Sequence, residues 1–298
     1  MNEAPILIAG PTASGKSALG LALAEHLGGQ IINADSLQVY DCWRVLTARP
    51  GPDETARVPH ALYGHVSRDT TYSVGHWLRD VAPLLAPGQP RAIILGGTGL
   101  YFTVLTHGLA DIPPIPPAVR ARADRLSTET LRSALDPVTA GRIDMANRAR
   151  VQRAWEVAEI TGRGLAHWHD ATPPPLLPRA HRFVIGAPPE WLTPRIEQRL
   201  QKMVGDGALA EVAAFVSASP GGRLDGQGPA AQAIGAQELA AHLAGETTLD
   251  EALTHAALKT RRYAKRQRTW FRQKLSEWRT IPPQIEISEI LKIVICNP

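Results

Sequence analysis

Residues 10–17 read Gly-Pro-Thr-Ala-Ser-Gly-Lys-Ser and lie between two largely apolar segments, Pro5–Ala9 and Ala18–Leu27. This order of strand, glycine loop and helix, with the spacing G-x-x-x-x-G-K-S, is typical of a phosphate-binding loop. The glycines let successive backbone N–H groups point at an anion, and the start of the helix adds partial positive charge. An ordinary glycine-rich turn is the alternative, but the flanking strand and helix favour polyphosphate binding.

Two side chains of this loop have distinct expected roles. Lys16 would reach the outer phosphates, and the hydroxyl of Ser17 would ligate Mg²⁺. The predicted phosphate-binding residues are Gly10, Pro11, Thr12, Ala13, Ser14, Gly15, Lys16 and Ser17.

The composition of the 298 residues, 44% hydrophobic and 20% charged, indicates a soluble globular protein of one large or two modest domains. No apolar run reaches the ~18 residues that span a membrane, and the N-terminus has no signal-peptide pattern. Cys42 and Cys296 form neither a disulfide framework nor a C-x-x-C metal pair. We therefore expect a cytoplasmic protein with no membrane partner.

The positive charge is concentrated near the C-terminus. The formal net charge is +4, yet residues 259–274 contain eight basic residues and no acid, and subtracting those eight leaves −4. A helix here would place Arg261, Lys265, Arg268 and Arg272 on one face, over ~16 Å at 1.5 Å per residue. A solvated face is possible, but the absence of acids favours a polyanionic partner with a phosphodiester backbone.

An acidic residue follows the second predicted strand, residues 30–34, at Asp35-Ser36. Ligands of open α/β sheets bind beyond the carboxyl ends of the strands. Asp35 is therefore expected beside the phosphate loop, where a catalytic base could act. The alternative role is an N-cap for the turn Ser36–Tyr40.

A third strand, Arg91–Leu95, ends in Gly96-Gly97-Thr98. Glycines at a strand end permit close approach of a ligand, and Thr98 offers a hydroxyl there; a plain tight turn is the alternative. Phosphate-loop NTPases usually carry an acid that helps to hold Mg²⁺ at such a position, and none occurs here.

Two proline clusters, Asp111–Pro117 and Thr172–Pro178, divide the chain. The sequence between them contains helical patterns and no sheet-like runs, whereas strands are predicted on both sides. We predict an α/β fold: a P-loop NTPase-like core with a parallel sheet, residues 1–116 and 173–298, and an all-helical insertion domain, residues 117–172.

Several peripheral elements are less sharply defined by pattern. Ala61–Val66 could form a further strand, and Leu249–Trp278 is predicted as one helix. The apolar run Ile290–Ile295 is either a strand or a disordered end. His167 and His169, two residues apart on a presumed helix, do not converge on a metal.

Six motifs, taken in chain order, resemble those of the tRNA dimethylallyltransferase (IPP transferase) family, and the resemblance extends from about residue 5 to 275. They are Gly10–Ser17, Asp35-Ser36 with Tyr40, Gly96–Thr98 with Leu100-Tyr101, Asn147-Arg148 with Arg150–Arg153, Ala233–Gly235, and Thr260–Gln267 with Thr269–Phe271.

This resemblance implies transfer of a dimethylallyl group from its diphosphate to the exocyclic N6 amine of the adenosine 3′ to the anticodon, with Mg²⁺. The loop would then stabilise a leaving pyrophosphate, and Asp35 would accept the proton of the amine as general base. The implied catalytic residues are Asp35, Thr98, Lys16 and Arg195.

The implied partners are a tRNA anticodon stem–loop and dimethylallyl diphosphate, and we expect a monomer. The insertion domain would help to bind the tRNA, although Arg153 and Glu156 could form a simple intrahelical pair. The implied tRNA-binding residues are Asp35, Ser36, Leu37, Gln38, Thr98, Arg120, Arg150, Gln152, Arg153, Arg261, Lys265, Arg268 and Arg272.

Two other functions would fit parts of the pattern. A phosphate-loop kinase of a small metabolite could use Asp35 as base for a hydroxyl acceptor, and a non-catalytic RNA-binding module could use the loop to sense a nucleotide. The missing strand-end acid and the basic face argue against the kinase, and an acid beside the loop argues against the module.

Overall fold

The computed structural model describes residues 4–222, 224 and 228–296. Its centre is a six-stranded sheet in which all neighbouring strands are parallel, in the order β3-β2-β4-β1-β5-β6. The predicted α/β fold with a parallel sheet is therefore confirmed. The strands are β1 Ile6–Ala9, β2 Gln30–Asn33, β3 His60–Ala61, β4 Ala92–Gly96, β5 His181–Ile185 and β6 Arg279–Ile281.

Two compact units form the chain, one up to Val104 and from Arg179 onward, the other from Leu105 to Pro178. The first unit carries the sheet. Its helices are α1 Lys16–Leu27, α2 Pro52–Arg57, α3 Val74–Val81, most of α4 Gly99–His107, and then α10 Pro189–Gly205, α11 Ala208–Ser217, α12 Ala236–Leu243, α13 Leu249–Lys274 and α14 Ile287–Cys296.

The central strands are buried on both faces, as expected when helices cover a parallel sheet. Ile6, Leu7 and Ile8 of β1 are fully buried, and α1 packs against both β1 and β4. A second layer of helices forms around α13, which packs on α10 and α12. No helix in this described part of the chain combines the length and apolarity needed to cross a bilayer.

The second unit is helical: α5 Pro117–Arg125, α6 Thr128–Ser133, α7 Pro137–Arg142, α8 Arg148–Thr161 and α9 Leu165–Asp170. It is wider than the predicted span 117–172 because the flanking proline segments pack with it. Ile112 and Ile115 join the core around Val157, and the Leu177 N–H donates to the Leu105 carbonyl at 3.0 Å.

Three peripheral elements differ from the sequence-based prediction. The helix expected over 249–278 ends at Lys274, and β6 follows it, because buried Ile281 completes the sheet core. The run 290–295 is helical, with Ile290 and Val294 buried one turn apart; a short apolar run does not distinguish helix from strand. The expected strand 61–66 stops at Ala61, where Leu62 adopts φ 62°.

Candidate active site

The phosphate loop joins β1 to α1 and has the backbone geometry of an anion cradle. Gly15, with φ 92°, is the residue before α1, a conformation that glycine adopts without steric penalty. Because Gly15 has no side chain to cap the helix, the first-turn N–H groups of α1 remain available to a ligand. Ser14 is fully buried, and its hydroxyl has no hydrogen-bond partner among the described residues.

Lys16 is partly buried at the start of α1, with its ammonium 3.5 Å from the Pro11 carbonyl. Burial lowers the pKa of Lys16 to about 8; the Asp35 carboxylate raises this pKa and Arg199 lowers it further. A bound polyphosphate would restore the favourable electrostatic environment that burial removes.

Basic side chains surround the loop. A cavity of about 590 Å³ is lined by residues 13–18 and, across from them, by five cations and two acids. The predicted catalytic Arg195 is among them, with its guanidinium 4.5 Å from the centre of the Trp191 ring, while Lys202 pairs with Asp206 at 2.9 Å. The charged residues of this phosphate cavity are Arg44, Arg49, Arg195, Arg199, Lys202, Glu54 and Asp206.

Asp35 follows β2, and its two carboxylate oxygens have different surroundings. Oδ1 accepts from the Leu37 N–H at 3.0 Å, so the turn-capping role exists. Oδ2 lies beside Gly97: a Cβ atom added to this glycine would be 3.4 Å from the oxygen. The backbone N–H of Asp35 is fixed by Asn33 Oδ1 at 2.8 Å. The carboxylate is thus held in place while one oxygen remains directed at the end of β4.

Thr98 connects the ends of β2 and β4. Its Oγ1 accepts from the Ser36 N–H at 2.9 Å and lies 3.3 Å from the Ser36 hydroxyl, and its N–H donates to the Ala34 carbonyl at 3.1 Å. The structure therefore brings Thr98 and Ser36 together with Asp35, as the strand-end argument predicts.

A small cavity of about 80 Å³ lies beside the Asp35 carboxylate. Its lining is mostly apolar, and it shares Arg199 and Met203 with the phosphate cavity. We call it the apolar cavity; its lining residues are Thr12, Asp35, Leu37, Leu46, Thr47, Ile196, Arg199, Leu200, Met203, Ile234, Thr260 and Tyr263. Gln38, also predicted here, instead donates to the carbonyls of Thr47 and Ala48 at 2.9 and 3.0 Å.

Gln267 is a site residue that the sequence reasoning did not assign. It is buried in α13, and its Oε1 accepts from the Thr12 N–H of the phosphate loop at 3.0 Å. Its Nε2 donates to the Gly97 carbonyl at 2.9 Å. The available signal was its position between the apolar residues Ala264 and Phe271, at helical spacing and off the predicted basic face of α13.

The basic face of α13 divides in the structure. Lys265, Arg268 and Arg272 line a groove of about 570 Å³ together with residues 184–188. Arg261 instead forms an ion pair with Glu197 of α10 at 2.9 Å. Three of the four cations therefore share one groove, and the fourth is partly neutralised.

In the helical unit, the predicted tRNA contacts gather around a buried acid. Arg120 Nη2 lies 3.3 Å from Glu156, whose side chain is 3% exposed, and Gln152 donates to the same carboxylate at 3.1 Å. Burial lowers the pKa of Arg153, and Glu156 raises it. Arg150 is exposed at the start of α8.

These features define a class. A parallel sheet whose inner strand β1 runs into a G-x-x-x-x-G-K-S loop and then a helix belongs to the P-loop α/β proteins, with the ligand site beyond the carboxyl ends of the strands. A family model described as IPP transferase matches residues 38–274. The chain belongs to the IPP transferase family.

Individual relatives agree with this assignment. The chain is 58% identical to the tRNA dimethylallyltransferase of Ruegeria sp. strain TM1040, over 95% of this chain and 96% of that protein. It is also 58% identical to the protein of that name from Dinoroseobacter shibae, over 94% and 95%. The crystal structure of full-length tRNA isopentenylpyrophosphate transferase from Bacillus halodurans superposes with a TM-score of 0.68 at 30% identity, covering 99% of this chain and 95% of that one.

The lowered pKa of Lys16 predicts a pH dependence of anion binding. Since the charged form binds the anion, affinity for inorganic pyrophosphate should fall as the pH rises through about 8. Pyrophosphate itself only gains negative charge with pH, so its ionisation acts in the opposite direction. Calorimetry from about pH 7 to about pH 9 should show this decrease, and Lys16→Met should bind weakly with no decrease. The same pH dependence of affinity in the unchanged protein and in Lys16→Met would contradict the assignment.

Removal of Gln267 should loosen the phosphate loop. Gln267→Ala leaves the Thr12 N–H and the Gly97 carbonyl without partners, which should lower the free energy of unfolding by about 2 kcal/mol and weaken pyrophosphate binding. Gln267→Glu can still accept from Thr12 but sets a buried carboxylate oxygen against the Gly97 carbonyl oxygen, so its loss should be at least as large as that of Gln267→Ala.

Denaturant unfolding and calorimetry measure the two quantities for these variants. Gln273→Ala, an exposed position on the same helix, is the matched control. Pyrophosphate affinity equal in Gln267→Ala and Gln273→Ala would show that Gln267 does not support the loop.

Proposed function

We propose that this protein transfers the dimethylallyl group of dimethylallyl diphosphate to the exocyclic N6 amine of the adenosine 3′ to the anticodon of tRNA. The observation that carries the proposal is the adjacency of a cationic phosphate cavity, a small apolar cavity and the Asp35 carboxylate. The names of relatives 52–58% identical over nearly the whole chain support it.

The phosphate cavity suits a leaving diphosphate. As the C–O bond breaks, negative charge develops on the pyrophosphate, and the loop N–H groups, Lys16 and Arg195, which line this cavity, would stabilise it. Arg199 lines both cavities, so it would lie near the bond that breaks. The apolar cavity would hold the five-carbon group, which needs burial but no hydrogen bonds.

Asp35 is proposed as the general base. The adenine amine must lose a proton as its nitrogen bonds to the prenyl carbon, and this proton would pass to Oδ2, while Oδ1 retains the Leu37 N–H. The target base must leave its stack to reach this depth. Thr98 and Ser36, hydrogen-bonded to each other, would then contact the flipped nucleotide together with Leu37 and Gln38.

The residues present also fit Mg²⁺. In the described part of the chain, no three His, Cys, Asp or Glu side chains converge on a metal position. Mg²⁺ commonly retains water and binds substrate phosphates with only one or two protein oxygens, so the exposed Ser17 hydroxyl in the phosphate cavity would be sufficient. When bound, Mg²⁺ would supply positive charge to the pyrophosphate.

We propose that two surfaces, one in each unit, bind the tRNA. The helical unit would act as the tRNA-binding insertion, and its contact residues would be Arg120, Arg150, Gln152 and Arg153. In the sheet unit, the groove of Lys265, Arg268 and Arg272 would follow the phosphodiester backbone, with Arg261 at its margin. We propose that the protein acts as a monomer in the cytoplasm, where tRNA is available.

Incubation of an anticodon stem–loop with the protein, Mg²⁺ and dimethylallyl diphosphate should raise the RNA mass by about 68 Da, one C5H8 unit, as expected for base-assisted alkylation. No ATP should be needed. Asp35→Ala should lower turnover about 10²–10⁴-fold with RNA binding retained, whereas Asp41→Ala, an exposed neighbouring acid, should not. An unchanged RNA mass, or a strict requirement for ATP, would exclude the proposal.

Because three of the four basic residues line the groove and Arg261 pairs with Glu197, we expect them to contribute unequally to the salt dependence of tRNA binding. Arg268→Ala and Arg272→Ala should each reduce the salt dependence of tRNA binding by a slope of about 0.7 per lost phosphate contact. Arg261→Ala should change it less, because Glu197 already compensates that charge. Equal slopes for all three variants and the unchanged protein would mean that the groove does not bind RNA.

A further inference from the structure

An irregular loop, residues 43–49, lines both cavities of the site. Arg44, Val45, Ala48 and Arg49 line the phosphate cavity, whereas Leu46 and Thr47 line the apolar cavity. We call this segment the wall loop. Ala48 has φ 50°, a left-handed conformation that a non-glycine residue adopts only when its surroundings hold it there.

One side chain fixes the backbone of the wall loop. The carboxylate of Glu211, on α11, accepts from three consecutive backbone N–H groups: Arg44 and Val45 donate to Oε1, the latter at 3.0 Å, and Leu46 donates to Oε2 at 2.8 Å. Hydrogen bonds to an ionised acceptor are stronger than neutral ones. Glu211 itself touches neither cavity.

The carbonyls of the same loop hold residues of the site. The Thr47 carbonyl accepts from Arg199 Nη2 at 3.2 Å and from Gln38 Nε2 at 2.9 Å. Arg199 lines both cavities, and Gln38 belongs to the turn that follows Asp35. A chain of contacts therefore leads from Glu211 through the loop backbone to these two side chains.

Aromatic stacking anchors the start of the wall loop to α11, the helix that carries Glu211. The ring of Trp43 stacks on Phe215 of α11 with centroids 4.5 Å apart, and its Nε1 donates to the Ala230 carbonyl at 2.8 Å. These contacts anchor Trp43, whereas the backbone N–H groups of the next three residues are held by Glu211. The stacked pair and the carboxylate thus have separable roles.

We propose that Glu211 is a positioning residue of the diphosphate site, whose carboxylate holds the wall loop so that Arg44 and Arg199 line the phosphate cavity. This inference rests on the proposed function only for the identity of the diphosphate. A carboxylate is required because two acceptor oxygens serve three donors; an amide would turn its NH2 group toward a backbone N–H.

Affinity for inorganic pyrophosphate tests the proposal without any tRNA. Glu211→Gln should weaken pyrophosphate binding about tenfold, and should raise KM for dimethylallyl diphosphate by a similar factor, because at least one charge-assisted bond is lost. Glu211→Asp keeps the charge on a shorter side chain and should give a smaller loss. Val212→Ala, at a fully buried position of the same helix, is the control for lost stability.

Melting temperatures of all variants separate positioning from folding. The expected result is that Val212→Ala melts at least as early as Glu211→Gln but binds pyrophosphate like the unchanged protein. Full pyrophosphate affinity in Glu211→Gln, or an equal loss of affinity in Val212→Ala, would overturn the proposal. If the unchanged protein binds pyrophosphate but does not prenylate RNA, the proposed function fails while the Glu211 result still decides the role of this residue.

Discussion

Strands β2 and β4 approach each other so closely at their carboxyl ends that a Cβ on Gly96 would lie 2.1 Å from the Ala34 carbonyl oxygen. The Ala34 N–H donates to the Leu95 carbonyl at 2.9 Å, continuing the ladder beyond β2. Since parallel strands end on the same edge of a sheet, this approach places Asp35 beside Thr98, and both beside the loop that follows β1. Any side chain at Gly96 would separate the groups on which the chemistry depends.

The parts of the site that could be predicted are those encoded by short, contiguous patterns. The phosphate loop needs only eight residues in order, and Asp35 and Thr98 need only the knowledge that each follows a buried strand. Gln267 and Glu211 could not be found this way, because their partners lie 255 and about 166 residues away along the chain. Their contacts exist only after the helices have packed on the sheet.

In the fold, too, elements encoded by contiguous sequence patterns were predictable, and elements that depend on tertiary packing were not. Buried strands and the helical insertion were predictable from apolar runs and prolines, whereas β6 and the end of α13 are decided by packing of Trp278 and Ile281, both buried. The spacing of the four basic residues predicts that they share one face of α13, but it does not predict which of them forms an ion pair with an acid. That depends on Glu197, whose helix is brought alongside by tertiary structure.

Helix α13 is a single element of 26 residues. On its buried side, the Gln267 side chain accepts a hydrogen bond from the Thr12 N–H. The next residue, Arg268, lines the groove proposed for RNA. The phosphate loop and the groove are thus contacted by adjacent residues of one helix, Gln267 and Arg268. Any coupling between the two ligands along this helix is reciprocal, so that each alters the affinity of the other by the same factor.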